Sequence, residues 1–196
     1  FKTQYRLAPT ALRQEAAQHK ESNTGITLAL GYRPPYQWER MLEFLAARAI
    51  PGVEVVRDGE YLRTVHIIRE ARPPLSGWIR IGNLPQKRVL TVTVDATLLP
   101  ALSQVLARVR HLFDLYCDPG AVHETLAGMN AIRPGLCVQG TRLPGCFDAF
   151  EMAVRAILGQ QITVKAARTL AARLVQAHGG SIATGIEGLT HVFPSP

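Results

Sequence analysis

Residues 53–94 alternate apolar and polar side chains in four short runs, and a helical stripe flanks that block on each side. Such a block cannot fold alone, because each half-apolar strand must pair with neighbours and cover its apolar face. Runs 53–56 and 61–68 flank Asp58-Gly59, a dipeptide that tolerates the left-handed dihedrals of a tight hairpin turn. Runs 78–81 and 89–94 continue the meander, with Gly82-Asn83 and Pro85 as turn residues between them. Upstream, 26–30 alternates like a further strand, and Pro34-Pro35 halts it, proline being suited to the first turn of a helix. Trp38, Met41, Leu42, Leu45 and Ala49 then recur at helical spacing within 36–49. Downstream, Leu98, Leu99, Leu102, Val105, Leu106, Val109, Leu112 and Phe113 form the clearest amphipathic stripe of the chain. The order strand, helix, four strands, helix predicts an α+β unit: one antiparallel sheet with two helices packed on one face.

Past Cys117-Asp118-Pro119 the character changes. Residues 119–129 read as a short helix, and the Pro/Gly-rich stretch 133–145 as a connection. From Phe147 onward the chain is helical. Phe147, Phe150, Val154, Ile157 and Leu158 are expected to share one helix face. Ala166, Leu170 and Leu174 mark another helix closing at Gly179-Gly180, with the tight turn Gly159-Gln160-Gln161 between the two. At the other end, 14–25 reads as a polar linker.

Among the 196 residues, 22 Lys and Arg against 15 Asp and Glu leave a formal charge of +7, which favours an anionic partner, most simply nucleic acid. No run of about 18 apolar residues suggests a membrane span, and the opening Phe1-Lys2-Thr3-Gln4 does not resemble a secretory signal, so a cytoplasmic location is expected. Cys117, Cys137 and Cys146 are too widely spaced for a zinc knuckle, and the six histidines are scattered, so neither metal nor cofactor is expected. No Ser-His-Asp set or phosphate-cradling glycine loop occurs, and Glu39, Glu43 and Glu124 read as solvated helix positions. Pattern and charge alone therefore reach only a basic, nucleic-acid-associated α+β domain joined to helices.

Two stretches carry a resemblance that goes further. Tyr32-Arg33-Pro34-Pro35-Tyr36-Gln37-Trp38 with Phe44-Leu45-Ala46-Ala47-Arg48-Ala49, and later Leu112-Phe113-Asp114-Leu115, resemble the amino-terminal domain of the bacterial 3-methyladenine DNA glycosylase II family. Arg142-Leu143-Pro144-Gly145-Cys146-Phe147-Asp148-Ala149-Phe150, running on to Ile157-Leu158-Gly159-Gln160-Gln161, is similar to the start of that family's helix-hairpin-helix domain. The resemblance implies a TATA-binding-protein-like sheet with two packed helices over 26–132, followed by the first helices of an all-α glycosylase domain over 133–196. Residues 1–13 resemble the tail of an AraC-type helix-turn-helix domain, as in Ada-like regulator–glycosylase fusions. The missing initiator methionine fits a truncation upstream.

The resemblance implies a monomeric, cofactor-free hydrolase that flips an alkylated base out of duplex DNA and cleaves its N-glycosidic bond, since that bond is inaccessible inside the stack. Phe44 matches a position lining the base pocket, and Arg48, one turn later, projects from the same helix face. Gln161 matches the residue that fills the gap left by the flipped nucleotide, with Gly159 and Gln160 letting the turn approach the backbone. Glutamine departs from the apolar wedges common at such positions. Tyr36, Trp38 and Lys165 are read as structural or solvated. The family's catalytic aspartate is expected beyond Pro196, Asp148 and Glu151 lying in the wrong segment, so no catalytic residue is assigned and this stretch by itself is expected to be inactive. The rival readings are a noncatalytic DNA-binding module of an Ada/AraC-type regulator and a structural module without a nucleic-acid role.

Overall fold

The computed structural model describes residues 25–196. The regulator tail expected over 1–13 and all but the last residue of the linker expected over 14–25 lie outside the described residues.

Strands β1 (Ile26–Gly31), β2 (Glu54–Arg57), β3 (Glu60–Arg69), β4 (Arg72–Leu84) and β5 (Val89–Val94) form one sheet in the order β1-β5-β4-β3-β2. Every neighbouring pair is antiparallel. Helices α1 (Trp38–Arg48) and α2 (Leu102–Leu112) lie on one face, as the order of periodicities predicts. Their apolar sides meet the inward residues of the sheet in a core that includes Leu28, Leu30, Ile79, Val92 and Val109. At its centre, Phe113 is fully buried, stacked on Trp38 at 5.5 Å and met edge-on by Tyr61 at 5.7 Å. The polar ends of these aromatics are satisfied, as buried donors must be: Trp38 Nε1 donates to Gly59 O at 2.9 Å, and Tyr36 Oη to Phe113 O at 2.7 Å. Both residues are therefore structural.

Three local expectations are corrected. Strand β4 begins six residues before Trp78 and includes Pro73 and Pro74. Its pairing with β5 covers only Ile79 to Leu84, and its pairing with β3 is irregular between Ile67 and Arg69, opposite the prolines, where a missing N–H is tolerated. The stripe starting at Leu98 opens as a 3-10 segment, Ala96–Ala101, because Pro100 lies within it, and the α-helix begins only at Leu102. Pro34 and Pro35, joined by a cis peptide bond, precede α1 instead of forming its first turn.

The helical half holds α3 (Pro119–Leu126), α4 (Ala149–Leu158) and α5 (Val164–His178). Asp118, Asp148 and Thr163 cap their N-termini, each side-chain oxygen accepting from backbone N–H groups that would otherwise be orphaned. The expected shared face of α4 is corrected. Phe147 precedes the helix and belongs to the sheet core, while Phe150 and Ile157 are exposed. Only Val154 and Leu158 pack inward, against a second cluster of Ile50, Val53, Ala171, Val175 and Phe193.

Arg142 ties the connecting segment to the sheet domain. It is buried, its guanidinium lies 4.9 Å from the Tyr36 ring, and it donates to Cys117 O at 3.0 Å, Pro35 O at 3.3 Å and Arg33 O. Five fixed donors make arginine suited to gathering carbonyls from separate loops.

Truncating Phe113 to alanine should lower stability by about 3–5 kcal/mol, the usual range for emptying a well-packed aromatic site. A thermal melt in which Phe113→Ala shifts Tm by less than a few degrees would show that this aromatic cluster is not the centre of the core.

Candidate base pocket

The sheet domain and the helical half enclose a cavity of about 330 Å³. One wall is the end of α1, with Phe44 and Arg48; another is α4, with Glu151 and Arg155; a third is the α4–α5 turn and the start of α5, with Gly159 and Ile162. Phe44 is 39% exposed, and the Arg48 guanidinium carbon stands 3.8 Å above its ring centroid. The i, i+4 spacing on α1 makes that stacking geometrically available.

Beneath the cavity lies a buried ionic quartet. Glu54 and Arg63 sit directly across from each other in the β2–β3 hairpin, and Glu151 and Arg155 are one turn apart on α4. Arg63 Nη2 meets Glu151 Oε2 at 2.5 Å, Arg155 Nη2 meets Glu151 Oε1 at 2.7 Å, and Arg155 also pairs with Glu54. Tyr61 Oη donates to Glu54 Oε1 at 2.6 Å and the Ile50 N–H to Glu54 Oε2 at 2.9 Å. Two carboxylates and two guanidiniums cancel in charge, and the surrounding donors occupy the remaining oxygen sites, which is the condition under which buried ions are tolerated. Burial by itself would raise the Glu54 pKa. The Arg155 and Arg63 charges, with the Tyr61 and Ile50 hydrogen bonds, outweigh it and hold the carboxyl below its ordinary value. Arg155 and Arg63 are correspondingly raised by their carboxylate partners against the opposing effect of burial.

Arg155, with Arg168 of α5, also closes the end of α1. Its last carbonyls point out of the helix without intrahelical partners. Arg155 Nη1 donates to Arg48 O at 2.9 Å, and Arg168 Nε, from α5, to Ala49 O at 2.6 Å. Helices from the second half thus cap a helix of the first, and the cationic groups sit at the negative end of its dipole.

The structure brings Phe44, Arg48 and Gly159 to one cavity. Gln160 and Gln161 stand exposed at the tip of the adjoining turn; Gln160 Nε2 donates back to Ala156 O at 3.1 Å, and Gln161 adopts a left-handed backbone with φ +58°. Glutamine rarely takes that conformation, which here lets α4 stop and α5 begin within a few residues. Asp148 is committed to capping α4 and to Arg108 at 3.0 Å, and Glu151 to the quartet; neither carboxylate is free for acid-base chemistry. Lys165 is exposed. Sequence reading missed the quartet. Its one legible signal was the Glu151–Arg155 spacing, whereas the partnership with Glu54 and Arg63 depends on how the halves dock. Among the described residues no helix is long and apolar enough to cross a membrane.

This arrangement, a five-stranded sheet with two helices on one face joined to a pair of helices, is shared with part of several solved DNA glycosylases. It superposes on the 3-methyladenine DNA-glycosylase from Archaeoglobus fulgidus with a TM-score of 0.66 at 20% identity, over 85% of this chain and 55% of that one. It also matches the 8-oxoguanine glycosylase/lyase of Clostridium acetobutylicum, solved with double-stranded DNA, with a TM-score of 0.55 at 13% identity, over 89% of this chain and 52% of that one. The model of the AlkA N-terminal domain family matches residues 27–148, and the chain belongs to that family. It is 41% identical over 167 residues to the DNA-3-methyladenine glycosylase 2 of Escherichia coli strain K12, over 85% of this chain and 55% of the relative. It is 40% identical over 193 residues to the Mycobacterium tuberculosis protein named "Probable bifunctional transcriptional activator/DNA repair enzyme AlkA", over 95% of this chain and 37% of that protein. The chain thus spans about half, or less, of the curated relatives it matches.

Replacing Arg155 by methionine leaves two buried carboxylates short of a counter-charge and should destabilise the chain by about 3–5 kcal/mol, as for other broken buried pairs. The pH dependence follows from the lowered Glu54 value. A carboxyl held lower in the folded than in the unfolded chain contributes stability above its unfolded pKa, and loses it as pH falls through the folded one. Denaturant melts below about pH 4.5 should therefore lose stability more steeply for the natural chain than for Glu54→Gln. Equal slopes would remove Glu54 as the source.

Proposed function

We propose that the chain is the amino-terminal part of a DNA base-excision glycosylase that hydrolyses the N-glycosidic bond of alkylated bases, 3-methyladenine among them, after flipping them from duplex DNA. The observation that carries this reading is the shared cavity: an exposed aromatic ring on α1 and the α4–α5 turn open onto one space of about 330 Å³, within the range of small-molecule sites. Phe44 supplies a stacking face for an extruded base, and Arg48 lies beside it. The turn Gly159-Gln160-Gln161 stands next to the cavity mouth, so a side chain inserted at the vacated step would come from Gln161. The glycosylase names of relatives at about 40% identity support the activity.

The carboxylates lining the cavity, Glu54 and Glu151, are consumed by arginines. The carboxylate that stabilises the cationic sugar therefore belongs to other residues of the whole protein, and residues 25–196 bind without cleaving. The protein acts as a monomer in the bacterial cytoplasm, on double-stranded DNA. Its units are a regulator tail over 1–13, a linker over 14–25, the sheet domain over 26–132 and a helical domain from 133. Support for a regulatory unit is the match, over 95% of this chain, to the M. tuberculosis protein whose name includes a transcriptional activator.

The test is release of free base from alkylated duplex by the full natural gene product. Release of 3-methyladenine is expected; duplex binding with a salt slope but no release would favour the noncatalytic regulatory module instead. Gln161→Ala should weaken binding to abasic-site DNA by several fold, about 1 kcal/mol, the worth of one net hydrogen bond. Unchanged affinity would remove Gln161 as the inserted residue.

A further inference from the structure

The cavity lining carries four arginines against two glutamates. Arg63 and Arg155 spend their charge on Glu54 and Glu151 within the quartet, so the surplus rests on Arg48 and Arg168. Arg48 is stacked on Phe44. Arg168 is held differently. It lies on α5, exposed where the cavity meets solvent, and its Nε–H is fixed on the Ala49 carbonyl at 2.6 Å. That bond uses one donor of a planar guanidinium and sets its orientation, leaving the edge formed by Nη1 and Nη2 open. Among the described residues neither of those nitrogens makes a hydrogen bond, and no carboxylate pairs with Arg168. An anchored fork without an acceptor is the arrangement that receives a phosphodiester through two parallel hydrogen bonds.

We propose that Arg168 is a phosphate ligand that holds a DNA phosphodiester flanking the nucleotide whose base enters the cavity; this rests on the glycosylase reading above. Base, sugar and phosphate are one covalent unit, so an extruded base brings its own phosphates to the cavity mouth. Arg168 stands at that mouth, on the helix that the Gly159-Gln160-Gln161 turn leads into. The phosphate also answers the surplus of charge. Both glutamates of the lining are taken, so no protein carboxylate cancels Arg168, whereas one phosphate does. Neutralising Arg168 in this way eases the entry of an alkylated base that is itself cationic. In this role Arg168 fixes where the strand lies and reads nothing of the base, as phosphate contacts do.

Binding of the full natural gene product to a duplex with one abasic site, measured over a range of salt, tests this. Arg168→Gln should weaken binding about five- to tenfold at low salt and reduce the slope of log K on log salt by about 0.9, the share of one phosphate contact. Arg173→Gln removes the same charge from an exposed position of the same helix, away from the cavity, and should leave the slope unchanged. Methylphosphonates, which replace one phosphate oxygen by a methyl group and abolish its charge, are then placed at each flanking position in turn. At one position the natural protein should lose as much affinity as Arg168→Gln does, and Arg168→Gln should cost nothing further there. A loss in Arg168→Gln that is the same at every position would trace to the Ala49 cap alone and overturn the phosphate role. An unchanged salt slope in Arg168→Gln would overturn it too. In both cases release of free base by the natural protein leaves the glycosylase reading standing. No release by the natural protein overturns that reading, and the role of Arg168 falls with it.

Discussion

The two halves of the molecule meet in an apolar cluster that joins Ile50 and Val53 to Ala171, Val175 and Phe193, and guanidinium groups fix the register of that contact. Arg155 reaches at once to Glu54 on the sheet, Glu151 on its own helix and the Arg48 carbonyl at the end of α1. If α4 slid by even one residue, two carboxylates would be left buried and half-paired, at a cost comparable with a large share of a domain's whole stability. An apolar interface tolerates small slips; this one does not. The position of the α4–α5 turn relative to Phe44 is therefore a consequence of charge pairing, and the shape of the cavity follows from it.

Arg142 serves the same end at the far side of the connection, gathering carbonyls from the 33–35 and 114–117 loops. Neither device adds much to stability over a well-packed hydrophobic alternative. What each fixes is geometry, and a pocket built between two halves requires fixed geometry if it is to receive a planar base.

The sheet and its two helices were legible because their signals are local. Alternation, the Asp58-Gly59 turn and the stripe ending at Phe113 each sit within about a dozen residues, where backbone periodicity is decisive. Misreadings arose where tertiary placement decides. The strand expected from Trp78 begins at Arg72, because β4 there outruns β5 and pairs with β3 alone, around an irregularity opposite the prolines. The apolar residues of α4 suggested one buried face, yet the inward position goes to Glu151, and Phe150 and Ile157 face solvent. Of the site, Phe44, Arg48 and the 159–161 turn came from family resemblance, since nothing in their spacing links residues more than a hundred positions apart. The quartet was illegible for the same reason: Arg63 reads as an out-of-place charge in an apolar strand until Glu151 is docked beside it.

The central claim is that the cavity between α1 and the α4–α5 turn is the face this chain turns toward damaged DNA. Amide chemical-shift mapping on the 196-residue chain, titrated with a duplex containing one abasic site, tests it most directly. The account predicts the largest changes at residues 44–48 and 159–164, around the cavity mouth. Changes centred instead on the open face of the sheet, where Thr27 and Thr93 pair across β1 and β5, would contradict it.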